Sequence, residues 1–120
     1  MKTISLSFLT VFSLLLSANL LSCTSTKNID AESIPANTVV MADTKFIPAT
    51  ITVPKGTTVT WHNLEDRMHD AISDDKSWDT GDMALGESKS VTFDKPGTFS
   101  YHCSHHTMFG FGMTGKIIVE

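Results

Sequence analysis

Short runs of alternating apolar and polar residues, separated by turn signals, fill the chain from residue 38 to its end. Residues 38–46 are strand-like. Across 50–54 the alternation puts Ile51 and Val53 on one face, and Lys55-Gly56 then reads as a turn. Across 57–62, Val59 and Trp61 share one face, with Thr58, Thr60 and His62 on the other. Residues 88–93 alternate through Val91 and Phe93, and Lys95-Pro96-Gly97 is a strong turn signal. Residues 98–103 bring Phe99, Tyr101 and Cys103 to one face, and 116–120 form a final short strand. There is no long helical period and no internal repeat. Five or more short strands joined by such turns predict an all-β fold, an antiparallel sandwich. A core drawn from about 80 residues is small, so a bound metal would help to hold it together.

The segment before residue 38 has a different character. Residues 2–21 carry one lysine near the start and then an apolar stretch rich in Leu and Phe, with no further charge until Lys27. That is the composition of an export signal. A transmembrane helix is the competing reading, but Ser, Thr and Asn interrupt the run and no basic cluster follows it. The end of the run, Leu20-Leu21-Ser22-Cys23, resembles the bacterial lipoprotein box. The resemblance implies cleavage after residue 22, a lipid on the sulfur of Cys23, and an exported chain, periplasmic or at the cell surface, anchored to a membrane. Residues 24–37 are polar and aperiodic, so residues 23–37 read as a lipidated cysteine and a flexible tether. Residues 38–120 form the domain.

Composition narrows the function. Nine Lys and Arg against 13 Asp and Glu give a net charge of -4, which does not favour nucleic acid as a partner. Of the two cysteines, a lipidated Cys23 would leave Cys103 unpaired, and an unpaired thiol in an exported protein calls for a reason. The reason lies around it. Tyr101-His102-Cys103-Ser104-His105-His106-Thr107-Met108 continues to Met113, so a thiol, imidazoles and thioethers fall within a dozen residues. Soft sulfur with imidazole suits copper or zinc, and electron-transfer copper sites commonly use two His, one Cys and a weak axial Met. His69 is an isolated upstream candidate.

The order of these residues resembles the cupredoxins, in the plastocyanin and amicyanin group of small blue copper proteins. The upstream half is Phe46-Ile47-Pro48, then Ile51-Thr52-Val53-Pro54-Lys55-Gly56, then Val59-Thr60-Trp61-His62-Asn63, with Asn63 preceding His69 as Asn-x5-His. The downstream half is Lys95-Pro96-Gly97-Thr98-Phe99-Ser100-Tyr101-His102-Cys103, then Cys-x2-His to His106, then Met113-x-Gly115-Lys116. The resemblance implies a Greek-key sandwich holding one copper ion that cycles between Cu(II) and Cu(I). It implies His69, Cys103, His106 and Met113 as ligands. It also implies that Asn63 ties the His69 loop to the Cys103 strand. Two departures bear on this set. The spacing His106-x6-Met113 exceeds the family's usual His-x4-Met or His-x2-Met, which keeps Met108 as the alternative axial ligand; separately, His105 is a rival to its neighbour His106, although Cys-x-His leaves a very tight loop. Asp70 stands where Asn is common, and a carboxylate beside a ligand is expected to lower the copper potential.

Charge is also localised. Residues 65–82 hold seven acids and two bases, a net of -5, while six bases and six acids cancel over the rest of the exported chain. An acidic patch next to His69 would steer a basic redox partner such as a c-type cytochrome. Met108, Phe109 and Phe111 would supply an apolar collar where that partner docks. The leading expectation is a one-electron carrier, monomeric, with transient partners. The alternatives are a protein that delivers copper onward and a single-copper centre with an open position for a small molecule. Pairing of Cys103 with His106 as nucleophile and base lacks a third positioned group.

Overall fold

The computed structural model describes residues 31–120, so the stretch read as an export signal, Cys23 and most of the segment read as a tether lie outside the described residues. A 3-10 turn at Ala31–Ser33 leads into eight strands: β1 Thr38–Ala42, β2 Lys45–Ile47, β3 Thr50–Val53, β4 Thr57–Asn63, β5 Ile72–Ser73, β6 Ser88–Phe93, β7 Gly97–Met108 and β8 Phe111–Val119. They form two four-stranded sheets, ordered β2-β1-β4-β6 and β3-β8-β7-β5. The sandwich expected from the alternation is present. Two of its pairings, β1 with β4 and β3 with β8, are parallel, and the others are antiparallel.

The alternation decides which residues enter the space between the sheets. Ile51 and Val53 of β3, Val59 and Trp61 of β4, Tyr101 and Cys103 of β7, and Met113, Ile117 and Val119 of β8 all join one buried cluster. Its centre is aromatic. Tyr101 lies with its ring centroid 4.7 Å from Phe46 and 5.5 Å from Trp61, and Trp78 lies 5.2 Å from Trp61. The two Tyr101 contacts are edge-on, a geometry that stabilises beyond the area buried. Tyr101 fits because β8 has a glycine beside it. A Cβ on Gly115 would stand 2.3 Å from Tyr101 Cζ.

Three strand boundaries differ from the sequence reading. Residues 38–46 are not one strand. Asp43 and Thr44 both take positive φ, 52° and 56°, and turn β1 back on β2 with Ala42 opposite Lys45. β7 runs on past Cys103 to Met108, and β8 begins at Phe111 rather than at Lys116. The residues from Cys103 to Met113 therefore form the end of a long β-hairpin, turned at Phe109 (φ 53°) and Gly110 (φ 80°). At the other end of the domain, Asn37 closes the tether onto β4: its side-chain amide donates to Thr58 O and its carbonyl accepts from Thr60 N.

Candidate metal centre

An interruption in that hairpin builds the site. His102 pairs with Thr114 and Thr107 pairs with Gly112, so the four residues 103–106 of β7 stand opposite the single residue Met113 of β8. Such a bulge bends its strand and re-aims the side chains it carries. Cys103 stays on the inward face and is fully buried, while His106 is half-buried at the rim. Gly112 makes the close approach possible: its φ is 122°, and a Cβ there would fall 2.2 Å from the His106 carbonyl oxygen.

His69 reaches the same place from the loop after β4. Its backbone is clamped to Met83, with His69 N donating to Met83 O at 3.2 Å and Met83 N to His69 O at 2.7 Å. The imidazole is wholly buried. Its Nδ1 lies 3.6 Å from Cys103 Sγ, and His106 Nδ1 lies at the same distance on another side of the sulfur. One ion bound about 2.0 Å from nitrogen and about 2.3 Å from sulfur separates the two donors by roughly 3.5–3.7 Å at tetrahedral to trigonal angles. Both sulfur–nitrogen separations are those of donors sharing one metal ion, the three donor atoms lie within 4.8 Å of one another, and a thiolate with two imidazoles is the donor set that copper favours.

The protonation states agree with that use. Burial pushes the Cys103 thiol above its usual pKa, so a metal rather than the protein's own field must stabilise the thiolate. Burial also lowers the His106 pKa, and the neighbouring His69 lowers it further, which keeps the imidazole a neutral donor. His105, the rival, behaves oppositely. Its Nε2 lies 2.7 Å from Asp82 Oδ1, and that hydrogen bond raises its pKa. Of the two thioethers, Met113 is buried in the cluster that holds Cys103, whereas Met108 is 71% exposed at the hairpin's end. The long spacing to Met113 is taken up by the hairpin turn and does not push Met113 out of the core.

The residues around these donors fix them. Asp70 ties the His69 loop to the Cys103 strand: Ser104 N donates to Asp70 Oδ1 at 2.6 Å and Ser104 Oγ donates to Asp70 Oδ2. The resemblance had given that tie to Asn63. Asn63 is buried, but its amide donates to Arg67 O and Met83 O and its Oδ1 accepts from Glu65 N. It shapes the loop before His69 and makes no bond to β7. Glu65 was missed altogether. Its carboxylate bonds His69 Nε2 and also accepts from Thr44 N at 2.9 Å. The four-residue step from Glu65 to His69 was the only sign in the sequence. His62 and His102 are half-buried and partnered by Ser88 and Asp74.

Comparison with known proteins gives the same family. A family model described as a cupredoxin-like domain matches residues 11–119. The chloroplastic plastocyanin of Tetradesmus obliquus is 35% identical over 86 residues, covering 62% of this chain and 58% of that protein. The plastocyanin of Scenedesmus fuscus is also 35% identical over 86 residues, covering 62% of this chain and 86% of that one. Among solved structures, a reduced Cu(I) form of an amicyanin variant superposes with a TM-score of 0.62 and 30% identity, over 75% of this chain and 89% of that one. A copper-containing nitrite reductase from Thermus scotoductus superposes with a TM-score of 0.62 and 33% identity, but this chain spans only 22% of it. The chain belongs to the family of cupredoxin-like domains.

Proposed function

We propose that His69, Cys103 and His106 hold one copper ion, with Met113 as a weak axial ligand. The protein is a small blue copper electron carrier and not an enzyme that transforms a substrate. Bound copper supplies the one-electron couple, Cu(II)/Cu(I), and the chain supplies a setting that changes little between the two. Each donor is held from a separate anchor: His69 by the Met83 backbone and Glu65, Cys103 by the strand itself, His106 by the bulge over Gly112. Held in this way, the donors need not rearrange when the charge at the centre changes by one. The observation that carries the reading is the pair of 3.6 Å separations from Cys103 Sγ to two imidazole nitrogens.

The surroundings support transfer to a protein partner. Beyond the half-buried His106, Met108, Phe109 and Phe111 are 71%, 92% and 81% exposed on the hairpin, an apolar projection on an otherwise acidic side of the domain. We assign it as the contact for a basic redox partner such as a c-type cytochrome, guided by the acidic stretch 65–82. A short-lived contact between monomers suits that task. An export signal, residues 1–22, would carry the chain out of the cytoplasm and be cleaved off, and a lipid on Cys23 would then hold the domain at a membrane, with residues 23–37 as its tether.

Voltammetry of the copper-loaded domain tests the carrier reading. A reversible one-electron wave, with the copper retained through repeated cycles, is expected. Loss of copper to a chelator on each reduction would instead identify a protein that hands the metal on.

A further inference from the structure

The first hairpin of the fold ends in a turn that its sequence does not favour. Asp43 and Thr44 fill both central positions of the two-residue turn between β1 and β2, each with positive φ. Turns of this kind usually carry Gly at the second position, as in Asn-Gly or Asp-Gly. Thr44 is β-branched, and at φ 56° its side chain opposes the backbone it sits on. Such positions persist where the surrounding structure fixes them, and they gather at functional sites.

What the turn delivers is a direction for one N–H. Thr44 N donates to Glu65 Oε1 at 2.9 Å, and His69 Nε2 bonds the same oxygen. The other ring nitrogen of His69, Nδ1, lies 3.6 Å from Cys103 Sγ. The carboxylate oxygen is thus held from two sides, by a backbone amide and by the ring it orients. The backbone at Glu65 is fixed as well. Leu64 N donates to Met41 O at 3.0 Å, beside the same hairpin, and Glu65 N donates to Asn63 Oδ1 at 3.0 Å. What remains is rotation of the Glu65 side chain, and the Thr44 amide stops it.

We propose that the backbone amide of Thr44 is a positioning group for the metal centre, acting through Glu65 on His69. The inference rests on the copper reading above only for its effect on the metal. The Glu65 side chain is 20% exposed, so a carboxylate free to swing would turn to water and leave the His69 ring without a fixed partner. Held by Thr44, it keeps Nε2 engaged and leaves Nδ1 aimed beside the Cys103 sulfur. Partners that orient a ligating imidazole in this way are part of what sets metal affinity. The task needs the turn conformation and the N–H. It does not need the threonine side chain.

The test removes the N–H and keeps the side chain, by placing the α-hydroxy analogue of threonine at position 44 so that an ester replaces the amide. NMR of the Cu(I)-loaded protein and of its copper-free form follows solvent exchange of the His69 Nε2 proton. The ester should speed that exchange at least about tenfold in both forms, and it should weaken copper binding about tenfold. Thr44→Gly keeps the N–H and relieves the turn, so both quantities should stay at the parent values. In Glu65→Ala the ester should change copper affinity by no more than about twofold. In the unmodified chain the Thr44 amide should be protected from exchange, and Glu65→Ala should remove that protection. This last measurement needs neither the ester nor copper, so it stands apart from the copper assignment. Unchanged His69 exchange in the ester, an equal loss of affinity with and without Glu65, or a Thr44 amide indifferent to Glu65→Ala would overturn the proposal.

Discussion

Removing the charge of Glu65 tests how firmly the buried ligand His69 is held. Glu65 bonds His69 Nε2, the ring nitrogen turned away from the Cys103 sulfur, and so fixes both the tautomer and the orientation of the ring. Glu65→Gln keeps a carbonyl oxygen for the Thr44 amide while removing the negative charge. A hydrogen bond to an ionised group contributes about 1.5–3 kcal/mol. The Glu65 side chain is 20% exposed, so solvent screening trims this toward the lower end. About 1.5 kcal/mol corresponds to roughly tenfold in copper affinity. The loss is larger for Cu(II), because the lost anion favours the higher metal charge, and the reduction potential rises. Competition with chelators in both oxidation states, together with voltammetry, measures these effects. Unchanged affinity with an unchanged or lowered potential would refute the role given to Glu65.

Three further outcomes are expected. Gly115→Ala drives a Cβ to within 2.3 Å of the buried Tyr101 ring, an overpacking that costs about 1–3 kcal/mol and lowers Tm by about 4–8 °C per kcal/mol; a Tm within about 2 °C of the parent would contradict the packing described. The Asp75 carboxyl is held down to a pKa of about 2, mainly by the Ser73 hydroxyl and then by Ser77, against an ordinary 3.8. Because the folded value is the lower one, its contribution to stability is present above about pH 4 and is lost as the pH falls toward 2; a carboxyl NMR titration of Asp75 with a midpoint near 3.8 would contradict this. Replacing Phe109 and Phe111 by Ser should leave the copper spectrum unchanged and slow electron transfer to a basic c-type cytochrome about tenfold, from loss of apolar contact. The parent rate should fall as salt is added, and a rate indifferent to both changes would remove the hairpin and the acidic stretch from docking.

The strands were legible where alternation carried them. Val59 and Trp61, Ile51 and Val53, and Tyr101 and Cys103 all face inward as their spacing requires. Periodicity misjudged the places where backbone conformation overrides it. Asp43 and Thr44 look strand-like in a β-rich run, yet their positive φ turns the chain. The hairpin beyond Thr107 hid behind two glycines and two phenylalanines, whose composition says loop and whose register says strand. The bulge at 103–106 is a mismatch between two strands, so neither strand alone announces it. Cys103, His106 and Met113 were legible because thiol, imidazole and thioether cluster there, whereas His69 stood alone and was placed by the family resemblance. Their supports were not, because Glu65, Asp70 and Ser104 are common polar residues that gain meaning only from the bonds they make.

The central claim is that Cys103, His69 and His106 share one copper ion. The most direct measurement adds one equivalent of Cu(II) to the domain and records visible and EPR spectra, with Cys103→Ser as the control. An intense thiolate-to-copper band, a narrow copper hyperfine splitting, and the loss of both in Cys103→Ser are the predicted result. A protein that stays colourless with Cu(II), or one whose spectrum survives Cys103→Ser, would contradict it.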